Sequence, residues 1–267
     1  RQLQYGTYCR QEEMLMLAGS EFDDTIEIVT RDSSGETGLV ECGFITADGR
    51  RIHCGTAPGY IIRHTMMDDV FYIDLRTFQK SNEVKDTAGA IKDAIKKGTK
   101  KFVIDIRGNG GGNSDVGLEL LTAMGMAPPS YGAYICNSPL SKKQRGSVGN
   151  QPIFYREPDL SVAKRNGDIS LVILTDRLTF SSATMLGVWV QDGGLGVIVG
   201  QPSSNAPTCY GDMLSLRLPT STINLQISYK KFLRPDQIAN QNTLEPDVPV
   251  EFGEDALDVA LQYLKSR

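Results

Sequence analysis

The 267-residue sequence lacks features that would place it in two large classes of protein. Its apolar runs, such as residues 171–174 (LVIL), are far shorter than the roughly 20 residues that a membrane-spanning helix needs. Its 32 acidic residues outnumber its 28 basic ones, so no excess of positive charge is available for nucleic acid. We therefore predict no membrane span in this chain and no nucleic-acid partner. Because the chain begins at Arg1 and not at Met, we expect a processed or truncated product.

The sequence also has few residues of the kinds that bind zinc. It contains five widely spaced cysteines without a CxxC pair, and only two histidines, His53 and His64. Structural zinc needs clustered cysteine and histidine ligands, so no such site is predicted. An odd number of cysteines excludes complete internal pairing and favours free thiols.

The apolar pattern predicts a small β-rich region at residues 1–69 and a larger α/β region at residues 70–267. Within the first region we expect a short helix at residues 1–20 and a β-hairpin formed by residues 25–29 and 37–44. Within the second, strands alternate with helices, which is typical of βαβ units and a largely parallel sheet. The predicted strands are 71–75, 102–106, 169–174, 196–199, 213–218 and 223–229, and the predicted helices are 83–97, 114–124, 182–191 and 254–265. The polar stretch 127–168 is long for a loop, so we expect it to contain a hairpin or a lid.

Two turns carry the clearest functional signal. Residues 102–112 (FVIDIRGNGGG) indicate a buried strand that runs into a glycine-rich turn, and residues 171–187 (LVILTDRLTFSSATMLG) indicate a strand, a turn and a helix. Glycine turns bring backbone N–H groups close to a negative oxygen, and a hydroxyl at a helix N-terminus lies in a field that favours negative charge. In a parallel sheet, both turns lie at the carboxyl ends of strands, where α/β proteins bind ligands. The two turns together indicate an oxyanion hole facing a serine nucleophile.

Each turn also has an ordinary structural interpretation. The glycines bunch as G-N-G-G-G, which departs from the G-x-G-x-x-G of dinucleotide-binding proteins, so a nucleotide site, a plain tight turn and an anion-binding turn stay open. Asp105 and Arg107 can brace that turn by pairing with each other or with backbone. Ser181 and Ser182 are residue types that commonly cap a helix. The occurrence of both turns in one chain favours a site over capping alone.

Five segments, in this order, resemble the tail-specific, or carboxy-terminal processing, serine peptidases. They are residues 71–78 (FYIDLRTF), 102–112, 175–186 (TDRLTFSSATML), 197–210 (VIVGQPSSNAPTCY) and 229–247 (YKKFLRPDQIANQNTLEPD). The resemblance covers most of residues 70–250. It implies a mixed α/β core of the ClpP/crotonase-like kind, with a small β-rich N-terminal appendage that resembles part of a PDZ-like module.

The resemblance also implies roles for residues of the two turns. The family's T-A-S-A-S pattern falls on residues 179–183 and places the nucleophile at Ser181. The backbone N–H groups of Gly112 and Ser182 would then be the oxyanion donors. Many members use a lysine 25 residues after the serine as the general base, but this chain has Ala206 at that position.

Three explanations of the missing lysine stay open. They are an engineered substitution, a branch like the tricorn-type members that uses a histidine and a carboxylate, and a catalytically silent protein. For the tricorn-type branch, His64 is the better of the two histidines and Asp236 is the nearest carboxylate. Lys230 or Lys231 could supply an amine instead, and alternation along a strand should point one inward and the other outward.

The leading functional prediction is a serine endopeptidase that cleaves peptide bonds through an acyl-enzyme on Ser181. The resemblance implies a peptide or unfolded protein as substrate, no metal or organic cofactor, and a secreted or bacterial cell-envelope location, and it leaves a homo-oligomer open. Two alternatives remain. One is a catalytically silent, peptide-binding member of the family. The other is an acyl-CoA enzyme of the crotonase type, which shares paired oxyanion N–H groups but needs no serine nucleophile.

Overall fold

The computed structural model describes residues 25–31, 36–43, 59–251 and 253–266, and the chain divides into two compact units. One unit contains an antiparallel hairpin of β1 (Thr25–Arg31) and β2 (Thr37–Gly43), which confirms the predicted hairpin. The other unit comprises Ile61–Val250 and Ala256–Arg267. The helix predicted at residues 1–20 and His53 lie outside the described residues.

The larger unit contains ten strands and five helices among its described residues. Its strands are β3 (Ile62–Met67), β4 (Val70–Leu75), β5 (Lys101–Asp105), β6 (Gly132–Cys136), β7 (Ile153–Arg156), β8 (Ser170–Thr175), β9 (Val197–Gly200), β10 (Cys209–Arg217), β11 (Asn224–Leu233) and β12 (Val248–Pro249). Its helices are α1 (Asn82–Lys96), α2 (Asp115–Ala123), α3 (Pro139–Arg145), α4 (Ser182–Asp192) and α5 (Ala256–Lys265).

A six-stranded sheet in the order β12-β9-β8-β5-β4-β3 forms the centre of this unit, and only the β3–β4 pair is antiparallel. Successive residues of a strand point to opposite faces, so both faces of the central strands are apolar and covered. On one face Ile104 packs in the same core as apolar side chains of α1, α2 and α4. On the other face Val103 packs with Ala260 and Leu264 of α5. This layered arrangement confirms the predicted mixed α/β class.

A second, antiparallel sheet in the order β10-β11-β6-β7 belongs to the same unit. Its β6–β7 pair, with α3 between the two strands, shows that the long polar stretch contains a hairpin. Strands β10 and β11 extend further than their alternating apolar residues predicted. They pair along most of their length, and β11 carries the lysines at positions 230 and 231.

The predicted domain boundary at residues 69 and 70 stays a prediction. Strand β3 precedes it and forms one edge of the six-stranded sheet through its pairing with β4. The PDZ-like character of the N-terminal region also stays a prediction. Across the described residues, no helix has the length and apolarity that crossing a membrane would require.

Candidate active site

Ser181 adopts a backbone conformation that non-glycine residues rarely adopt. Its φ is 55° and its ψ is −123°, immediately before α4 begins at Ser182. Such a conformation costs about 1–3 kcal/mol and persists only where surrounding interactions hold it. The preceding turn supplies part of that support, because Asp176 Oδ1 accepts from the N–H groups of Leu178 and Gly108, both at 2.9 Å. The turn therefore presents Ser181 at the exposed N-terminal end of the helix.

The glycine turn packs directly against Ser181. Gly111 has a φ of +93°, and a Cβ added there would lie 2.6 Å from Ser181 Cβ and 2.8 Å from the backbone N of Ser182. Only glycine permits both this conformation and this close approach. The Ser182 hydroxyl then donates to the Gly112 carbonyl at 2.7 Å, which ties the two turns together. The structure thus brings Ser181, Ser182 and Gly112 to one place, as the two sequence segments indicated.

Two backbone N–H groups beside Ser181 are left without partners among the described residues. Neither the N–H of Gly112 nor that of Ser182 donates a hydrogen bond to any described residue. Ser182 is the first residue of α4, where N–H groups have no intrahelical acceptor and the helix dipole is positive. This arrangement can stabilise negative charge on an oxygen placed between the two donors.

A cavity of about 590 Å³ opens next to Ser181. This volume lies in the range of pockets that enclose small-molecule or peptide side-chain ligands. Its apolar wall includes Tyr131, Met185 and Phe232, and its polar groups include Asn205 and Lys230. Ala206 also lines the cavity, so a methyl group stands where the family's lysine was expected.

Asn205 is a site residue that sequence reasoning missed. Its Oδ1 accepts from the backbone N–H of Ser181 at 2.8 Å and from the hydroxyl of Thr184 at 2.6 Å. One amide oxygen therefore fixes both the unusual backbone of Ser181 and the first turn of α4. The signal available in the sequence is its position directly before Ala206.

The structure does not bring His64 to Ser181, which corrects its predicted place beside the nucleophile. His64 lies on the edge strand β3, three strands away from β8 in the sheet. Three strand spacings amount to roughly 14 Å. Its Nδ1 atom lies 3.1 Å from the hydroxyl oxygen of Thr87. Its ring stacks on the ring of Phe71, and the two ring centroids are 5.3 Å apart. The ring therefore packs against α1 and β4 and does not line the cavity.

The predicted role of Asp236 is also wrong, because its carboxylate accepts hydrogen bonds from backbone N–H groups of its own loop. It accepts from the N–H of Ile238 at 2.9 Å, and it does not line the cavity of Ser181. Its backbone N–H donates at 2.9 Å to Asp192, the partner of the buried Arg234. This segment therefore belongs to a structural ion pair, and a histidine–carboxylate arrangement formed by His64 and Asp236 is not present.

The two lysines of β11 point to opposite faces, as strand alternation predicted. Lys230 lines the cavity together with Phe232, two residues along the same strand. Lys231 is not among the cavity residues, and its ammonium lies 5.8 Å from the ring centroid of Tyr210. Elsewhere, the expected brace of the glycine turn is confirmed, because Arg107 pairs with the buried Asp105 at 2.7 Å.

Comparison with known protein families identifies the family of this chain. The sequence profile of peptidase family S41 matches residues 69–250, about two thirds of the chain. This chain belongs to peptidase family S41. The match includes both turns, the cavity and β10–β11. The fold class and the resemblance to carboxy-terminal processing peptidases are thereby confirmed.

Solved structures share the S41 fold at low sequence identity. A protein from Parabacteroides merdae described as a peptidase is 16% identical, with a TM-score of 0.54, and the match covers 98% of this chain and 83% of that one. A protein from Bacteroides fragilis described as an S41 protease is 17% identical, with a TM-score of 0.53, over 91% of this chain and 66% of that one. The photosystem II D1 C-terminal processing protease is 19% identical, with a TM-score of 0.49. The match covers 87% of this chain but only 57% of the length of that protein. No curated protein sequence matches the chain.

Proposed function

We propose that this chain is a serine endopeptidase that forms an acyl-enzyme on Ser181. The observation that supports this most strongly is the meeting of the two turns. Ser181 is held in a strained conformation beside the N–H groups of Gly112 and Ser182, neither of which has a partner among the described residues. Strained conformations of this kind cluster at functional sites.

In the proposed reaction, Ser181 Oγ attacks the carbonyl carbon of a peptide bond. The carbonyl oxygen becomes negative and accepts from the N–H groups of Gly112 and Ser182. Donors of this type contribute roughly 3–4 kcal/mol each to transition-state stabilisation in comparable sites. The carbon–nitrogen bond then breaks, the amine leaves, and water releases the acyl group from Ser181.

The substrate we propose is a peptide or an unfolded protein. The cavity beside Ser181 is open to the exterior of the unit and its apolar wall can accept a side chain of the substrate. We keep the secreted or cell-envelope location and a homo-oligomeric state as predictions that follow from the family resemblance.

The proposal is tested with a fluorophosphonate probe, which reacts with activated serines, followed by peptide mapping. We expect one labelled residue, Ser181. Ser181→Ala should abolish labelling, whereas in Ser182→Ala any label should still map to Ser181, because the Ser182 hydroxyl donates to the Gly112 carbonyl and is not the nucleophile. A folded wild-type protein without label on Ser181 would contradict the proposal.

Ala206 favours a second candidate, a silent member that binds peptides without cleaving them, because it removes the family's usual base. This candidate predicts peptide binding with no labelling of Ser181. A crotonase-type enzyme is distinguished by the same variants, since its turnover of a CoA thioester would survive Ser181→Ala.

A further inference from the structure

Lys230 places a partly buried amine in the cavity that Ser181 lines. It pairs in register with Gly211 of β10, and its side chain is 18% exposed. The Nζ atom lies 4.5 Å from the centroid of the Phe232 ring and 3.9 Å from Asp212 Oδ2. No hydrogen bond from this amine to another described residue is formed. Asp212 is thus within ion-pair distance of the amine but accepts no hydrogen bond from it.

The surroundings of Lys230 lower its pKa, which makes its neutral form more accessible than that of an ordinary lysine. Burial lowers the pKa of Lys230 and is the largest influence on it, and the charge of Arg156 lowers it further. Asp212 acts in the opposite direction, but its carboxylate also accepts from the Tyr229 hydroxyl at 3.0 Å and lies 3.7 Å from Arg145. The negative charge of Asp212 is therefore shared among several groups.

Two other groups of the cavity, Arg145 and Cys209, are poorly suited to accept a proton from Ser181. The carboxylate of Asp212, which also lines the cavity, already accepts from the Tyr229 hydroxyl. A guanidinium is a donor-only group, which excludes Arg145 as the proton acceptor. Burial raises the pKa of the Cys209 thiol, which disfavours its thiolate. Within the described part of the chain, Lys230 is the only lysine that lines the cavity.

Ala206 leaves room for this amine. The residue lines the same cavity as Lys230, and its side chain is a single methyl group. The loop after β9 thus contributes no amine to the cavity, and the lysine that lines it in the described part of the chain comes from β11.

We propose that Lys230 Nζ is the general base that takes the proton of Ser181. This inference depends on the proposed acyl-enzyme mechanism. As Ser181 Oγ bonds to the carbonyl carbon, its proton moves to the neutral amine of Lys230, which becomes an ammonium. The ammonium donates that proton to the leaving nitrogen as the carbon–nitrogen bond breaks. In the second half, the amine takes a proton from water as the hydroxide adds to the acyl carbon, and then returns it to Ser181 Oγ.

Lys231 provides a matched control for the test, because it is the same residue type one position along β11 on the opposite face. The rate of fluorophosphonate labelling of Ser181 is measured for the wild-type chain, Lys230→Met, Lys230→Arg and Lys231→Met. We expect labelling to fall by about 10²–10⁴-fold in Lys230→Met, the range of a lost general base. Lys231→Met should stay within about 3-fold of wild type, because Lys231 does not line the cavity.

Lys230→Arg separates proton transfer from a structural role. Arginine keeps the positive charge and most of the packing but cannot accept a proton at neutral pH. We therefore expect it to be as slow as Lys230→Met. Its labelling rate should also lack the rise with pH that a titrating base produces in the wild type.

The outcomes distinguish this inference from the proposed function. Normal labelling of Ser181 in Lys230→Met, or full activity of Lys230→Arg, would overturn the role of Lys230 and leave the serine mechanism intact. Absence of label in the folded wild-type chain would overturn both. If Lys230→Met loses its folded circular dichroism spectrum, the comparison of Lys230→Arg with wild type decides the question.

Discussion

The backbone N–H of Ser181 donates to Oδ1 of Asn205 at 2.8 Å, although the two residues are 24 positions apart. The same oxygen accepts from Thr184, whose hydroxyl is buried. A single amide thus holds the strained residue at the end of the β8 turn and the helix that follows it. Asn205 directly precedes Ala206 in the loop after β9. This loop therefore supports Ser181 through a hydrogen bond from the backbone N–H of Ser181 to the Asn205 side chain, and not through a lysine side chain.

Removal of this acceptor should destabilise the chain. Asn205→Leu keeps a similar volume but leaves the Ser181 N–H and the Thr184 hydroxyl without their partner. We expect the free energy of unfolding in urea to fall by about 1–3 kcal/mol, the cost of leaving the buried Thr184 hydroxyl unsatisfied. Asn205→Asp retains the acceptor and should lose less. Equal losses in the two variants would show that this oxygen is not what holds the turn.

Gly111 should tolerate no side chain, whereas Gly110 should. A Cβ on Gly111 would lie 2.8 Å from the Phe180 carbonyl oxygen, and the residue would have to keep a φ of +93°. A Cβ on Gly110 would have no neighbour within 4 Å. We expect Gly111→Ala to reduce fluorophosphonate labelling of Ser181 by at least about 10²-fold, because it displaces the serine and its oxyanion donors. Gly110→Ala should label at nearly the wild-type rate. Comparable labelling of both variants would contradict the close approach of the two turns.

The two turns could be predicted from sequence because each is a local feature. A glycine cluster after an apolar strand, and a serine pair before a helical pattern, report backbone requirements that lie within a few residues. Their meeting follows from the parallel order of β5 and β8, which places both carboxyl ends at one edge of the sheet. The strands of the core could also be predicted, because a strand that is buried on both faces appears in the sequence as a continuous apolar run.

The partners of Ser181 could not be predicted, because they depend on which distant loops and strands reach it. The position of His64 before the core favours it in the sequence, but β3 pairs at the edge of the sheet and sets that ring against Thr87 and Phe71. Spacing from Ser181 favours Asp236, whereas the loop of Asp236 packs on the buried pair of Arg234 and Asp192. Lys230 and Lys231 were equivalent in sequence. Only the pairing of β10 with β11 decides which of them enters the cavity.

The pH dependence of labelling should respond to Asp212. A lysine base acts only when neutral, so labelling should rise with pH through the pKa of Lys230. Burial lowers that pKa and Asp212 raises it. Asp212→Asn removes the raising influence but leaves Arg145 and Arg156, so the rise should move to lower pH. The measurement is the labelling rate of Ser181 across a pH series. In the Lys230→Met background, Asp212→Asn should produce no such shift, and a shift to higher pH in the wild-type background would contradict the assignment.

A lysine at position 206 should replace the function of Lys230. Ala206 and Lys230 line the same cavity, so Ala206→Lys can deliver an amine to it from the loop after β9. We expect Lys230→Met/Ala206→Lys to label Ser181 at least about 10-fold faster than Lys230→Met alone, which recovers part of the contribution of a general base. Lys230→Met/Ala206→Met, which fills similar space without an amine, is the matched control and should stay slow. Equal rates in the two double variants would mean that an amine in this cavity does not serve Ser181, because volume alone would then account for the result.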